Sequence, residues 1–244
     1  MPDEYGFEDA ERLLLAAEFQ ETRQLWYSSN YVFLGQMCGP DGEQFATVYK
    51  PLRGEAPLWD FADGTLYKRE VAAYRLSRLL EWPFIPPTVA RDGPYGVGAV
   101  QVFVKHEEQS SYFDQREQED LLPQLKRMAV FDYIANNADR KGGHCLLDDD
   151  RRVWGIDHGL CFHEQYKMRT VMWDWVDEPI PEEFLAEAER GGHLIDAGAD
   201  EAGGLLELLS EMETAAMLGR IESLLLARKF PPPGPHRSHP WPLV

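Results

Sequence analysis

Apolar positions recur at helical spacing over residues 8–20, through Leu13, Leu14, Ala17 and Phe19, and predict an amphipathic helix there. The pattern then shortens. Residues 24–27, 31–37 and 45–50 read as strands, joined at Ser28-Ser29-Asn30 and at Gly39-Pro40-Asp41-Gly42, both turn-forming runs. Residues 51–64 carry Pro, Gly and Asp breakers and read as a polar loop. A helix is expected over 65–80, with Thr65 as N-cap and an end before Pro83. Strands at 87–91 and 100–105 flank Asp92-Gly93-Pro94.

Beyond residue 110 the helical period dominates. Leu121, Leu125, Met128, Phe131 and Ile134 place a helix over 119–137. Short strands fit 144–147 and 153–156, a loop runs to about residue 175, and helices fit 182–190 and 202–226. No internal repeat is visible. The order predicts an α+β chain in two lobes. A small β-rich lobe with an N-terminal helix and one key helix spans 1–105, and a mostly helical lobe spans 106–230. The run Pro231-Pro232-Pro233-Gly234-Pro235 opens a Pro-rich tail, 231–244, expected to be flexible. A cleft between the lobes is where a ligand would bind.

Composition narrows the function. Hydrophobic residues make up 44% and aromatics 12%, enough for a globular core. The formal net charge of −18 repels phosphate backbones, which excludes nucleic acid as a partner and disfavours anionic membrane surfaces. Any anion site must therefore be built from individual lysines and arginines. Cys38, Cys145 and Cys161 are odd in number and scattered, which supports neither a disulfide framework nor a zinc site and points to a reducing cytoplasm. The start has no signal-peptide pattern, and no apolar run approaches ~18 residues, so stable membrane insertion is not expected.

Four features could carry chemistry. Lys50 ends a strand, where burial is costly unless an anion meets it; an edge lysine facing solvent is the alternative. Glu70 shares a helix face with Tyr67, Tyr74 and Ser77 and wants a cation, either Lys50 or neighbouring Lys68 or Arg69. Asp139-Arg140-Lys141-Gly142-Gly143-His144 follows a helix end. A C-cap turn explains its glycines but not Asp139, because a carboxylate is unfavourable there. Asp157, in Gly155-Ile156-Asp157-His158-Gly159, puts a carboxylate at a strand end, suited to Mg²⁺ or to an ordinary turn. Taken in order, strand Lys, helix Glu, loop Asp with a ligand five residues on, and strand-end Asp are the parts of phosphoryl transfer.

These runs, with Ser28-Ser29-Asn30-Tyr31-Val32-Phe33-Leu34-Gly35, Val48-Tyr49-Lys50-Pro51 and Gly64-Thr65-Leu66-Tyr67-Lys68-Arg69-Glu70, resemble the atypical kinase superfamily on its phosphoinositide 3-/4-kinase-like branch. More closely, they resemble a small bacterial family of that type. The resemblance covers roughly residues 25–175 and implies a bilobal protein-kinase-like fold that transfers the γ-phosphate of ATP to a hydroxyl of a small molecule, lipid or protein. It implies that Ser28, Ser29 and Asn30 form a phosphate-contacting turn, that Lys50 contacts phosphates and that Glu70 holds Lys50. It further implies that Gln101, Val102, Phe103 and Val104 form the hinge that meets adenine. Asp139 becomes the catalytic aspartate, and His144 and Asp157 hold Mg²⁺ or Mn²⁺. Two positions depart from the pattern: His144 stands where Asn is usual, and His158 where Phe is usual. They motivate an alternative, a nucleotide-binding pseudokinase or regulatory module. A third reading, a metal hydrolase built on His144, His158 and His163, lacks an HExxH pattern. In the loop before Trp173, His163, Lys167 and Arg169 either meet an anionic substrate or are simply solvated.

Overall fold

The computed structural model describes residues 6–25 and 30–244. Its first lobe is a five-stranded antiparallel sheet with two helices. Helix α1 (Phe7–Ala16) leads into β1 (Glu18–Leu25), β2 (Val32–Cys38) and β3 (Gln44–Pro51), then α2 (Leu66–Leu79), β4 (Thr88–Gly93) and β5 (Gly96–Val102). The strand order is β1-β2-β3-β5-β4. Phe19, expected on the first helix, belongs instead to β1, because Ala17 already has extended backbone and Phe19 pairs with Met37 across the ladder.

One sheet face is closed by α1. Leu13, Leu14 and Ala17 pack against Phe33, Met37, Phe45, Tyr49, Val89, Val100 and Val102. Strand residues alternate faces, so Lys50, next to Tyr49, points to the other side. Gly35 is required where β2 crosses β1 and β3, since a Cβ there would lie 2.8 Å from both the Phe19 ring and Thr47 Oγ1.

Helix α2 begins as expected but is capped differently. The Thr65 hydroxyl donates to Ala62 O at 2.7 Å. Glu55, from the preceding loop, accepts the N–H groups of Leu66 at 3.2 Å and Tyr67 at 2.8 Å. A carboxylate there answers both the unpaired amides and the positive end of the helix dipole.

The second lobe comprises α3 (Tyr112–Gln115), α4 (Leu122–Ala135), the hairpin β6 (Cys145–Leu147) and β7 (Val153–Gly155), and helices α5 (Glu182–Asp196), α6 (Asp200–Leu206) and α7 (Glu211–Ala227). The single helix expected over 202–226 is two, because Ser210 starts a new one with a capping box to Glu213. Leu125, Met128, Phe131 and Ile134 of α4 sit in one core with Ala73 and Leu76 of α2 and Ile221 and Leu224 of α7. Helix α2 thus belongs to the packing of both lobes. No described helix is long and apolar enough to cross a membrane.

Residues 231–244 form the Pro-rich tail. They lack regular structure but are bonded to the second lobe: Ser238 O accepts from Thr170 N at 3.0 Å and from Trp173 Nε1 at 3.0 Å. Proline-rich chain cannot pair its own backbone, so its order comes from carbonyls used one at a time.

Candidate active site

The site lies where three loops meet the cleft side of β3. Lys50 Nζ donates to a carboxylate oxygen of Glu70 and, at 2.9 Å, to Asp157 Oδ1. Glu70 is buried and also accepts the His158 N–H at 3.0 Å. One carboxylate on α2 therefore fixes both the strand lysine and the loop that carries Asp157. Burial would lower the Lys50 ammonium, but Asp157 and Glu70 outweigh it and hold Lys50 above its ordinary value. The charge of Lys50 in turn holds the Asp157 carboxyl far below the usual carboxylate range. Glu70 is pushed upward by burial, with Lys50 opposing.

Asp139 sits on the turn after α4. That helix ends at Asn136, in left-handed conformation at φ 53°, which turns the chain into the site. The Asn136 side chain donates to His163 O and Gln165 O and accepts from Lys167 N, anchoring the opposite loop. Asn137 Oδ1 accepts the Asp139 N–H at 3.0 Å. Asp139 Oδ2 lies 3.0 Å from Lys141 Nζ. Burial raises Asp139 above the ordinary carboxyl value, and Lys141 works against that rise. Lys141 was missed by sequence reasoning, although its place two residues after Asp139 puts both side chains into one loop.

Asp157 itself has φ 61°, a costly conformation for a residue other than glycine. What holds it is a fully buried scaffold behind the site. Arg140 Nε and Nη2 donate to the two Asp132 oxygens at 2.8 and 2.9 Å, with both side chains inaccessible to solvent. Arg140 Nη1 donates to Ile156 O at 3.1 Å, and Nη2 meets His158 Nε2 at 2.6 Å. A single guanidinium thus joins α4, the Asp139 loop and the Asp157 loop. Its five fixed donors suit that role, where a lysine would not. Neither Asp132 nor the burial of Arg140 was foreseen; the available signal was a lone carboxylate amid the apolar positions of α4.

His144 Nε2 lies 3.3 Å from Asp157 Oδ2. Burial pushes its imidazole down to about 4, so the ring is neutral. Asp139, His144 and Asp157 each bring a ligand atom, all within 4.8 Å of one another, and they are the one such group among the described residues. Neutral imidazole and ionised carboxylate are the forms that bind a divalent cation, so the donor set fits one. The histidine hydrolase does not fit. His158 is buried against Arg140, His163 Nε2 lies 2.7 Å from Asp60 O, and His163 Nδ1 accepts the Gln165 N–H.

A cavity of about 660 Å³ joins Lys50, Glu70, Asp139, Lys141, His144 and Asp157. Asn30 lines it too, its Oδ1 accepting the Ala56 N–H at 2.8 Å. Ser28 and Ser29 lie outside the described residues. Gln101, Val102, Phe103 and Val104 do not line this cavity. Gln101 is buried and donates to Thr88 Oγ1, and the N–H groups of Val102 and Phe103 are bonded to Pro87 O and Ala46 O. Phe103 and Val104 border a separate space of about 300 Å³ beside Phe45, Ala46 and Trp154. Of the three loop residues that either meet an anionic substrate or are solvated, Lys167 is paired with Asp60 at 2.9 Å and His163 is tied to the same loop. Arg169 bears on Asp139 electrostatically.

The sheet and the bridging helix are those of a kinase fold. The Golgi casein kinase with Mn/ADP bound superposes with a TM-score of 0.58 at 13% identity, covering 91% of this chain and 75% of that one. Hydra Fam20 with sugar gives 0.53 at 14% identity, covering 91% and 87%. At that identity the likeness concerns fold alone. In sequence, the model of phosphatidylinositol 3- and 4-kinase matches residues 77–184. Protein Rv2133c of Mycobacterium tuberculosis is 41% identical, covering 80% of this chain and 81% of its own. Phosphatidylinositol 4-kinase gamma 4 of Arabidopsis thaliana is 27% identical over 79% of this chain, which spans 41% of that protein. The chain belongs to the bacterial phosphatidylinositol 3-/4-kinase-like family, a phosphotransferase type.

Proposed function

We propose that the protein transfers the γ-phosphoryl group of ATP to a hydroxyl of a small-molecule, lipid or protein acceptor. The observation that carries this reading is the convergence of Lys50, Glu70, Asp139, His144 and Asp157, from both lobes, on one cavity. Lys50 offers its ammonium to phosphate oxygens while Glu70 keeps it in place. Asp139, raised by burial, accepts the proton of the attacking hydroxyl. The hydroxyl oxygen bonds to the γ-phosphorus, the bond to the β–γ bridging oxygen breaks, and ADP carries away the electron pair. His144 and Asp157 would hold Mg²⁺ or Mn²⁺, which supplies charge neutralisation at the β- and γ-phosphate oxygens. The hinge role of Gln101, Val102, Phe103 and Val104 toward adenine stays part of the proposal; of the four, Phe103 and Val104 border the space beside Phe45, Ala46 and Trp154.

The odd number and scatter of Cys38, Cys145 and Cys161 suit a reducing cytoplasm, and the charge of −18 disfavours nucleic acid. The second reading, a nucleotide-binding module without turnover, is favoured by one observation: an imidazole at the metal position binds Mg²⁺ less well than an oxygen ligand does. Asp139→Asn decides between them. ADP release should fall at least ~100-fold with nucleotide affinity kept. Survival of activity in that variant removes Asp139 from its role, and no ADP release from the unaltered chain with Mg²⁺ or Mn²⁺ favours the second reading.

A further inference from the structure

Residues 236–244 close one side of the catalytic cavity. Trp241, Pro242 and Val244 line the same space as Lys50, Asp139, His144 and Asp157. Leu243 O accepts the Gly142 N–H at 2.7 Å. Gly142 lies between Asp139 and His144, so this bond is made inside the catalytic loop. A side chain at Gly142 would come within 2.8 Å of the Phe113 ring, which leaves the loop clasped between Phe113 and the tail.

The contact is repeated further back. Ser238 O accepts from Thr170 N and from Trp173 Nε1. Residues 169–171 are in turn paired with the catalytic loop: Arg140 N donates to Arg169 O at 3.0 Å, and Val171 N to Arg140 O at 3.1 Å. Catalytic loop, residues 169–171 and tail are therefore bonded side by side, in that order. The approach is set at Gly234, where a Cβ would lie 2.6 Å from the Tyr166 ring. All hydrogen bonds the tail makes to other described segments go to the second lobe, the lobe that carries Asp139.

The tail is a wall and not a plug. With it in place the cavity still measures about 660 Å³, inside the range of roughly 300–1,000 Å³ typical of ligand sites. Trp241 is 78% exposed, which a plug would not be. An indole left open at a cleft rim offers a flat apolar face to whatever enters.

We propose that residues 236–244 are a positioning segment of the phosphotransfer site, holding the catalytic loop through Gly142 and walling the cavity with Trp241. The inference rests on the phosphotransfer reading, since positioning is meant for Asp139. The bond from Leu243 keeps the turn between Asp139 and His144 in one conformation, and Ser238 does the same for the chain that pairs with Arg140. Ordering of this kind acts on turnover more than on nucleotide affinity.

The test compares the full chain with a chain ending after Pro235 and with Gly234→Val, which dislodges the tail without deleting it. Amide exchange at Gly142 and Thr170 should accelerate at least ~tenfold in both variants. ADP release from Mn²⁺-ATP should fall at least ~tenfold, with nucleotide affinity within about threefold. Trp241→Ala keeps the backbone bonds, so Gly142 should remain protected. A rise in ADP release on truncation would mean that the tail obstructs the cleft, and unchanged exchange and turnover would mean that it merely packs; either overturns the proposal. If the unaltered chain releases no ADP, the phosphotransfer reading fails, and exchange at Gly142 still decides whether the tail braces the loop. Should the shortened chain fail to fold, Gly234→Val supplies both readouts.

Discussion

Lys50 Nζ lies 2.9 Å from Asp157 Oδ1, although 107 residues separate the two in sequence. One comes from the sheet of the first lobe, the other from the loop after β7 in the second, and Glu70 on the bridging helix holds both. Lys50→Met removes the cation from between two carboxylates. ADP release should fall at least ~100-fold, as is common when a preorganised charge is lost from a closed site. Glu70→Gln, which keeps the shape and part of the hydrogen bonding, should cost less. Steady-state ADP release from the two variants checks the order, and a larger loss in Glu70→Gln would contradict it.

His144 should set the choice of metal. Imidazole tolerates Mn²⁺ better than Mg²⁺, whereas an amide oxygen favours the harder ion. His144→Asn is expected to lower the ratio of Mn²⁺-supported to Mg²⁺-supported turnover by about tenfold. Titrating each metal at saturating ATP measures the ratio, and a ratio unchanged by the substitution would separate His144 from the metal.

Stability should fall on mild acidification, and His144 gives the sign. Its folded value is pushed down to about 4 by burial, against 6.5 for an open histidine. Between those values the unfolded chain binds a proton that the folded chain refuses, so stability is lost as pH drops from 6.5 towards 4. His158, buried against Arg140, acts in the same direction. Glu70 and Asp139, raised by burial, oppose it in part. Comparing unfolding midpoints of the unaltered chain and His144→Asn isolates the first contribution, on the order of 3 kcal/mol at most. Parallel pH profiles for the two would refute it.

Asp132 and Arg140 should behave as one unit. Asp132→Asn leaves a guanidinium fully buried without its counter-charge and is expected to cost about 3–5 kcal/mol in denaturant unfolding. Asp132→Leu combined with Arg140→Met should cost less than Asp132→Asn alone, because no charge is then stranded. A double variant worse than the single would show that Arg140 matters for the carbonyls of His144 and Ile156 more than for Asp132.

The sheet and the meeting of the charged residues in one cavity were legible because their signals are local. Alternation marks β2 and β3, helical spacing marks α2 and α4, and Lys50, Glu70, Asp139 and Asp157 stand in runs whose order already suggests one chemistry. What escaped is long-range. Nothing near Glu55 says that it caps a helix eleven residues on, and nothing near Leu243 says that its carbonyl meets Gly142. Phe19 carries a helix-compatible pattern, yet ladder pairing with β2 overrides it. Proline content made 231–244 read as free chain, since composition records the lack of internal pairing and not the partners available elsewhere.

The cap on α2 has an electrical consequence. Helix starts are ready-made anion sites, and the start of α2 borders the cavity through Leu66 and Tyr67. Glu55 already takes that attraction for the protein's own carboxylate. Affinity for the proposed polyphosphate would then come from the ammonium groups of Lys50 and Lys141 more than from the backbone dipoles of α2. A pocket wired in this way should release its anion readily as ionic strength rises.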